Sequence, residues 1–165
     1  MKAVVVYESL WGNTATIARA IAEGLGSGTQ ALTTDEATAA VLADADLVVV
    51  GAPVIAFSLP REQQREDLGK NPGKAPRPPD VAHPSMRSWL IGLPAGHGHY
   101  AAFETRLWWS LGGSTSGISR GLEKAGYRPA AKAMRFIVTG AYGPLREGEV
   151  ERARQWGTEL AKTVG

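Results

Sequence analysis

Residues Ala3 to Thr14 read AVVVYESLWGNT, and this stretch decides how the 165-residue chain is interpreted. Its first five residues are an apolar run without polar alternation, which is typical of a strand buried on both faces. Beyond Thr14, apolar residues recur at three- and four-residue spacing, at Ile17, Ala18, Ile21, Ala22 and Leu25. This spacing predicts a helix that ends at Gly26, so the stretch predicts a buried strand, a polar turn and an amphipathic helix.

The alternation of strand and helix continues along the chain. Further strands are predicted at residues 28–34, 47–50, 101–107 and 134–139, and further helices at 35–43, 84–93, 114–125 and 147–164. Residues 58–84 are rich in proline, glycine and charge and are predicted to be irregular, a length of loop that often forms a lid or binding loop. The pattern predicts one α/β domain over residues 1–165, with a parallel sheet covered by helices on both faces. Ligands of such sheets bind at the carboxyl ends of strands.

Composition excludes several classes of function. The chain has no cysteine, which removes disulfide scaffolds, thiol catalysis and iron–sulfur clusters. His97 and His99 have no third partner in the sequence, so no metal site is predicted. The net charge of +2 is spread along the chain and not gathered into the basic stripe of a nucleic-acid binder. We find no apolar stretch of membrane-spanning length and no secretory signal, and therefore expect a cytoplasmic protein.

The turn between the first strand and helix has the features of an anion site. Ser9, Asn13 and Thr14 supply side-chain donors, Gly12 permits a tight turn, and the start of the helix supplies free N–H groups. The turn lacks the Gly-Lys-Ser/Thr of nucleotide P-loops and the G-x-G-x-x-G of dinucleotide sites. It also lacks lysine and arginine, so a phosphate would be held by neutral hydrogen bonds and the helix dipole.

The run from Tyr7 to Ala18 resembles the phosphate loop of the flavodoxin family, Ser/Thr-x-Thr/Ser-Gly-Asn-Thr. Ser9, Gly12, Asn13 and Thr14 match this pattern. Trp11 departs from it, since the family usually has a hydroxyl there, but an aromatic residue in this place is similar to the flavodoxin domain of flavodiiron proteins. Residues 46–53 resemble the third strand of the family and residues 136–140 its last strand. The resemblance implies a three-layer sandwich with a five-stranded parallel sheet of order 2-1-3-4-5, and FMN as cofactor.

By the same resemblance, the flavin ring would lie between the loops that follow the third and fourth strands. The implied FMN-binding residues are Ser9, Leu10, Trp11, Gly12, Asn13, Thr14, Pro53, Val54, Ile55, Ala56, Phe57, Thr105, Arg106 and Trp108. Aromatic candidates for stacking on the ring are Trp11, Phe57, Trp108 and Trp109. Arg106 is interpreted as a positive charge near the ring, which would stabilise an anionic reduced flavin and raise its potential.

Three functions fit this sequence. The first is an electron carrier that exchanges electrons with a redox partner protein through bound FMN, for which no catalytic side chain is needed. The second is an FMN-dependent reductase or oxidase acting on a quinone or another small acceptor. The slightly basic net charge of the chain favours this function over the carrier function, because low-potential carriers usually surround FMN with acidic residues. The third is a binding or regulatory module that has lost FMN, which Trp11 in the phosphate loop favours.

Overall fold

The computed structural model describes all 165 residues as an α/β sandwich. The strands are β1 (Ala3–Tyr7), β2 (Gln30–Thr33), β3 (Leu47–Pro53), β4 (His99–Leu107), β5 (Arg128–Pro129) and β6 (Met134–Val138). The helices are α1 (Asn13–Leu25), α2 (Ala39–Ala43), α3 (Glu62–Lys70), α4 (Met86–Ile91), α5 (Thr115–Ala125) and α6 (Glu149–Val164). No helix is long and apolar enough to span a bilayer.

All strand pairs in the sheet are parallel, in the order β2-β1-β3-β4, with β5 and β6 both beside β4. The predicted order 2-1-3-4-5 is therefore confirmed, and two successive strands share its fifth position. The sequence did not predict β5, because two residues are too few to show a period and Pro129 has no N–H for a sheet ladder.

The prediction of an irregular segment over residues 58–84 is wrong for α3. This helix buries a single residue, Arg65, and has no apolar stripe for a periodicity search to find. Its start is held by a hydrogen bond from the Arg61 N–H to the Gln64 side chain, 2.9 Å. Arg65 is anchored from outside the helix, by a bond of 2.7 Å to the carbonyl of His83. Tertiary contacts of a charged residue therefore hold α3.

Two apolar clusters lie on opposite faces of the sheet, which explains why β1 is apolar without alternation. Val4 and Val6 contact the cluster under α4 and α5, whereas Val5 contacts the cluster under α1 and α6. Successive side chains of a strand point to opposite faces, so every position of a doubly covered strand is buried.

Helices α1 and α6 approach each other closely at two glycines. A methyl group on Gly24 would collide with the backbone carbonyl of Arg154, and one on Gly157 would collide with the carbonyl of Ile21. This close contact holds α1 and α6 together over the same face of the sheet. The carboxyl ends of β1, β3, β4 and β6 then lie at one edge of the sheet, beside the start of α1.

Candidate functional site

An apolar cavity of about 380 Å³ lies at the carboxyl edge of the sheet. It is lined by Ser9, Leu10, Trp11, Asn13, Thr14, Pro53, Val54, Ile55, Ala56, Phe57, Leu68, Thr105, Arg106, Leu107, Trp109, Ser110, Val138, Ala141 and Tyr142. Of the site residues predicted from the sequence, only Gly12 and Trp108 are absent from this lining. Gly12 lies within the loop that borders the cavity, and Trp108 is 77% exposed to solvent.

The loop after β1 presents unused donors beside this cavity. The N–H groups of Leu10 and Trp11 donate to no acceptor in the protein. The first turn of α1 leaves further N–H groups free, and no side chain caps this helix. Gly12 adopts a φ of +97°, a conformation that favours glycine and lets the loop turn directly into α1. The loop and the first turn of α1 therefore offer several unpaired backbone N–H donors, which suit an anion.

The side chains of the loop add polar groups to these donors. Ser9 Oγ accepts a bond of 3.1 Å from the Gly12 N–H, which leaves its own hydroxyl proton available. The side chain of Asn13 makes no hydrogen bond in the protein, whereas Thr14 Oγ1 lies 2.8 Å from Thr105 Oγ1. Thr14 is buried, and its contact with Thr105 joins the start of α1 to β4.

Arg77, which the sequence interpretation did not single out, clamps the same loop from outside. Its Nη2 donates to the carbonyl oxygen of Trp11 at 2.5 Å, and its own carbonyl accepts from Trp11 Nε1 at 3.2 Å. The Asp80 N–H donates to the carbonyl of Leu10 at 2.8 Å. The loop thus gains a positive charge from a residue 66 positions away.

Aromatic side chains form walls of the cavity. Trp11 packs edge-on against Tyr142, with ring centroids 4.8 Å apart and an interplanar angle of 74°. Phe57 and Trp109 each leave 59% of their surface exposed. A flat ring could enter between walls of this kind, since partly exposed aromatic faces remain available for stacking. Trp108, by contrast, faces solvent outside the cavity.

The wall that follows β3 is a tight reversal with unusual backbone geometry. Ile55 and Ser58 exchange two backbone hydrogen bonds, of 2.9 and 3.2 Å, around Ala56 and Phe57. Both central residues have positive φ, +45° for Ala56 and +73° for Phe57. Neither residue is glycine, so the reversal holds backbone strain of about 1–3 kcal/mol per residue, which is typical of functional sites.

Arg106, which the sequence interpretation placed as a positive charge near the ring, lines the cavity but is paired with a carboxylate. Its side chain is 4% exposed and its Nη1 lies 2.6 Å from the carboxylate of Glu104, which neutralises the charge. The guanidinium also donates to the carbonyl groups of Ser110 and Gly112. Arg106 still lines the cavity, but its main contacts hold the loop after β4 in place.

A second cavity, of about 450 Å³, also borders the loop after β1 and is polar. Glu8 and Arg65 are both buried there, with Glu8 Oε2 3.3 Å from Arg65 Nε. Glu8 Oε1 accepts a bond of 2.7 Å from the Met86 N–H. Burial raises the pKa of Glu8, although the Met86 N–H and Arg65 act in the opposite direction. The carboxylate therefore faces away from the donors of the loop.

Four residues of the apolar cavity lie outside the loops that the sequence prediction used. Val138 ends β6, Ala141 and Tyr142 come from the loop after it, and Leu68 comes from α3. The prediction used only the loops after the first, third and fourth strands. The loop after the last strand reaches the same edge of a parallel sheet, so its Gly140-Ala141-Tyr142 sequence was the signal that could have found Tyr142.

Comparison with known proteins gives a clear result for the fold. No protein-family model matches the chain, and no curated protein matches it. Among solved structures, a flavodoxin from Archaea aligns over 99% of both chains with a TM-score of 0.67 at 20% identity. Flavodoxin 1 from Bacillus cereus aligns over 100% of both chains with a TM-score of 0.67 at 16% identity.

A third similar structure is a flavodiiron core protein from Synechocystis, with a TM-score of 0.60 at 17% identity. The alignment covers 99% of this chain but only 36% of that protein. These likenesses confirm the flavodoxin-like fold that the sequence predicted. The identities are low, so the likenesses establish the fold and leave the function to be argued from the site.

Proposed function

We propose that this chain, which has a flavodoxin-like fold, is an FMN-binding redox protein that transfers electrons through the bound flavin. The observation that carries the proposal is the position of the free donors around Ser9 and Asn13 directly beside an apolar cavity with aromatic walls. FMN has the matching chemistry, since it joins a dianionic phosphate to a large flat ring. When bound, FMN supplies one- and two-electron redox chemistry.

The residues present fit this group at both ends. The N–H groups of Leu10, Trp11 and the first turn of α1 would hold the phosphate, together with Ser9 and Asn13. The remaining lining is largely apolar, which would exclude water from the ring and hold it by stacking. Thr105 and residues 53–57 also line the cavity, and they would supply donors and acceptors to the polar edge of the ring.

The polypeptide would bind and orient the flavin without acting as an acid or base. The Glu104–Arg106 pair fixes the loop that carries Trp109, and the hydrogen-bonded reversal at Ile55 fixes Phe57. Because Glu104 neutralises Arg106, this arginine would raise the potential of the flavin less than a free cation would. The partners of the carrier function would be redox proteins that approach the exposed side of the cavity.

A second candidate is direct reduction or oxidation of a small acceptor such as a quinone. The observation that favours it is the half-exposed aromatic pair at the mouth of the cavity, Phe57 and Trp109. A flat apolar acceptor could lie against these rings, next to a bound flavin. Turnover of NAD(P)H with a soluble quinone would support this enzyme function over the carrier function.

The decisive experiment is a titration of apoprotein with FMN and, in parallel, with riboflavin, followed by flavin fluorescence. We expect FMN to bind at least about a hundredfold more tightly, because riboflavin lacks the charge-assisted bonds of the phosphate. Equal binding would contradict the phosphate site but retain the ring cavity. Binding of neither flavin would overturn the redox proposal and favour the third hypothesis, a module without FMN.

A further inference from the structure

The two loops that border the apolar cavity after β3 and β4 carry an aromatic patch, defined here as Phe57, Trp108, Trp109 and Leu111. Each of these residues is 59% to 77% exposed. The Gly113 N–H donates to the Phe57 carbonyl at 2.9 Å and so joins the two loops. Large apolar side chains clustered in this way are uncommon on the free surface of a monomer and indicate an interaction site.

The two tryptophans of the patch also have unused polar groups. The indole N–H of Trp11 donates to Arg77 and that of Trp89 donates to Ala37. Those of Trp108 and Trp109 donate to no group of the protein. A ring with an apolar body and a free N–H is suited to a boundary between water and an apolar phase.

Next to the patch lies an arginine groove, a cavity of about 360 Å³ lined by Phe57 and by Arg87, Arg120 and Arg135. Arg120 forms no ion pair, and Arg87 donates only to backbone carbonyls and Ser58. Arg135 lies 4.0 Å from Glu104, whose charge is already matched by Arg106 at 2.6 Å. The groove therefore carries a net positive charge.

The remaining charged residues around the mouth of the cavity are distributed unevenly between its two sides. On α5, Lys124 adds a further cation, and Glu123 accepts a hydrogen bond of 2.6 Å from Tyr100. Across the cavity, α3 supplies Leu68 to the lining and carries exposed Glu66 and Asp67. The side of β4, α4 and α5 therefore carries mainly positive charge next to the aromatic patch, whereas α3 carries charges of both signs.

We propose that the aromatic patch and the arginine groove together dock this protein on an anionic lipid bilayer. Tryptophan, phenylalanine and leucine would enter the headgroup region, while the arginines bind lipid phosphates. Guanidinium groups bind phosphate in a bidentate manner, and the groove also offers the hydroxyl groups of Thr115 and Ser116. Docking in this orientation turns the mouth of the apolar cavity toward the membrane.

A bilayer accounts for this surface better than an acidic protein does. The patch sits on two exposed loops whose tips carry no charge, and the cations stand to one side of it. This arrangement matches the layered polarity of a membrane, with an apolar interior beneath a plane of phosphates. Phe57 and Trp109 also line the apolar cavity, but Trp108, Leu111 and the three arginines of the groove lie outside it, so the test does not depend on flavin binding.

The test is co-sedimentation of the full chain with vesicles of phosphatidylglycerol and phosphatidylcholine, with vesicles of phosphatidylcholine alone as the parallel sample. We expect binding to the anionic vesicles to exceed binding to the neutral ones at least about tenfold, and to weaken with salt. Tryptophan fluorescence should shift to shorter wavelength on binding.

Two variants separate the contributions of the patch and the groove. Trp108→Ser removes an indole outside the apolar cavity, and we expect it to weaken vesicle binding about tenfold. Arg120→Gln/Arg135→Gln should weaken binding to anionic vesicles about fivefold per charge. Lys162→Gln, on α6 at the other face of the sheet, removes one positive charge and should leave binding unchanged.

Circular dichroism establishes that each variant is folded before its binding is compared. Loss of vesicle binding in both variants, with retention in Lys162→Gln, supports the proposal. Equal weakening in Lys162→Gln would mean that only net charge matters, which would overturn it. Absence of vesicle binding by the unmodified chain would also overturn it, and would assign the surface to an acidic protein partner.

Discussion

The carboxylate of Glu104 and the guanidinium of Arg106 form a buried ion pair, 2.6 Å from Oε2 to Nη1, on the same side of β4. Residues two apart on a strand face the same side, which brings the two groups together. Glu104 Oε1 also accepts bonds from the N–H groups of Ser114 and Thr115, at 2.9 and 3.1 Å. One carboxylate therefore joins the strand, the loop after it and the start of α5.

The first prediction concerns this pair. Arg106→Leu leaves the buried Glu104 with only the exposed Arg135, 4.0 Å away, as a counter-charge, so we expect the free energy of unfolding to fall by about 3 kcal/mol. In Glu104→Gln/Arg106→Leu no charge is left uncompensated, so the loss should be smaller. Urea denaturation of the three proteins measures both effects. A double variant as unstable as the single one would show that packing, and not charge, dominates.

The second prediction concerns the phosphate loop. Ser9→Ala removes one donor beside the free N–H groups, so we expect FMN to bind about tenfold more weakly, while riboflavin binding stays unchanged. Fluorescence titrations with both flavins measure the difference. Ser27→Ala, which removes an exposed hydroxyl beyond the other end of α1, is the matched control. Equal weakening of both flavins by Ser9→Ala would contradict a phosphate contact.

The third prediction tests the strained reversal after β3. Ala56 has a φ of +45°, which glycine adopts without the clash of a Cβ atom, so Ala56→Gly should stabilise the protein by up to about 1 kcal/mol. The midpoint of urea denaturation reports the change. Ala95→Gly is the control: Ala95 is exposed and is not among the residues with positive φ, so the substitution should be neutral or destabilising. Destabilisation by Ala56→Gly would contradict the strain.

The fourth prediction concerns pH and the start of α6. Burial of Glu149 disfavours its charge, but hydrogen bonds from Arg152, the Ile137 N–H and Arg146 prevail and lower its pKa to about 2. The unfolded chain would titrate near 4.5, so the stabilisation is present above that pH and is lost as pH falls toward 2. The shift corresponds to about 3 kcal/mol at neutral pH.

Stability measured by urea denaturation between pH 7 and pH 2 tests this sign. In Glu149→Gln we expect lower stability at pH 7 and a flatter dependence on pH below 4.5. Glu151→Gln, whose side chain is 59% exposed on the same helix, should change both quantities little. An unchanged pH dependence in Glu149→Gln would show that other carboxylates control acid stability.

The amino-acid sequence by itself determined the α/β class of the fold and its first strand, turn and helix. The apolar run of β1, the turn through Gly12 and the amphipathic α1 are local patterns, each decided by neighbours within one helical turn or one strand. Such patterns can be recognised from spacing alone. The strand order and the placing of residues from the loops after β1, β3 and β4 around a cofactor came from the resemblance of the sequence to flavodoxins.

Only the tertiary structure decided which residues from distant parts of the chain complete the site and which side chains neutralise its charges. Arg77 reaches Trp11 across 66 positions, and α3 forms around a buried Arg65 instead of an apolar stripe. Glu104 and Arg106 are two residues apart on β4, but only the tertiary structure decided that this pair is buried, because alternation does not say which face of a strand turns to which helix. Partners that are far apart in the chain meet only after folding, so spacing along the chain does not reveal them.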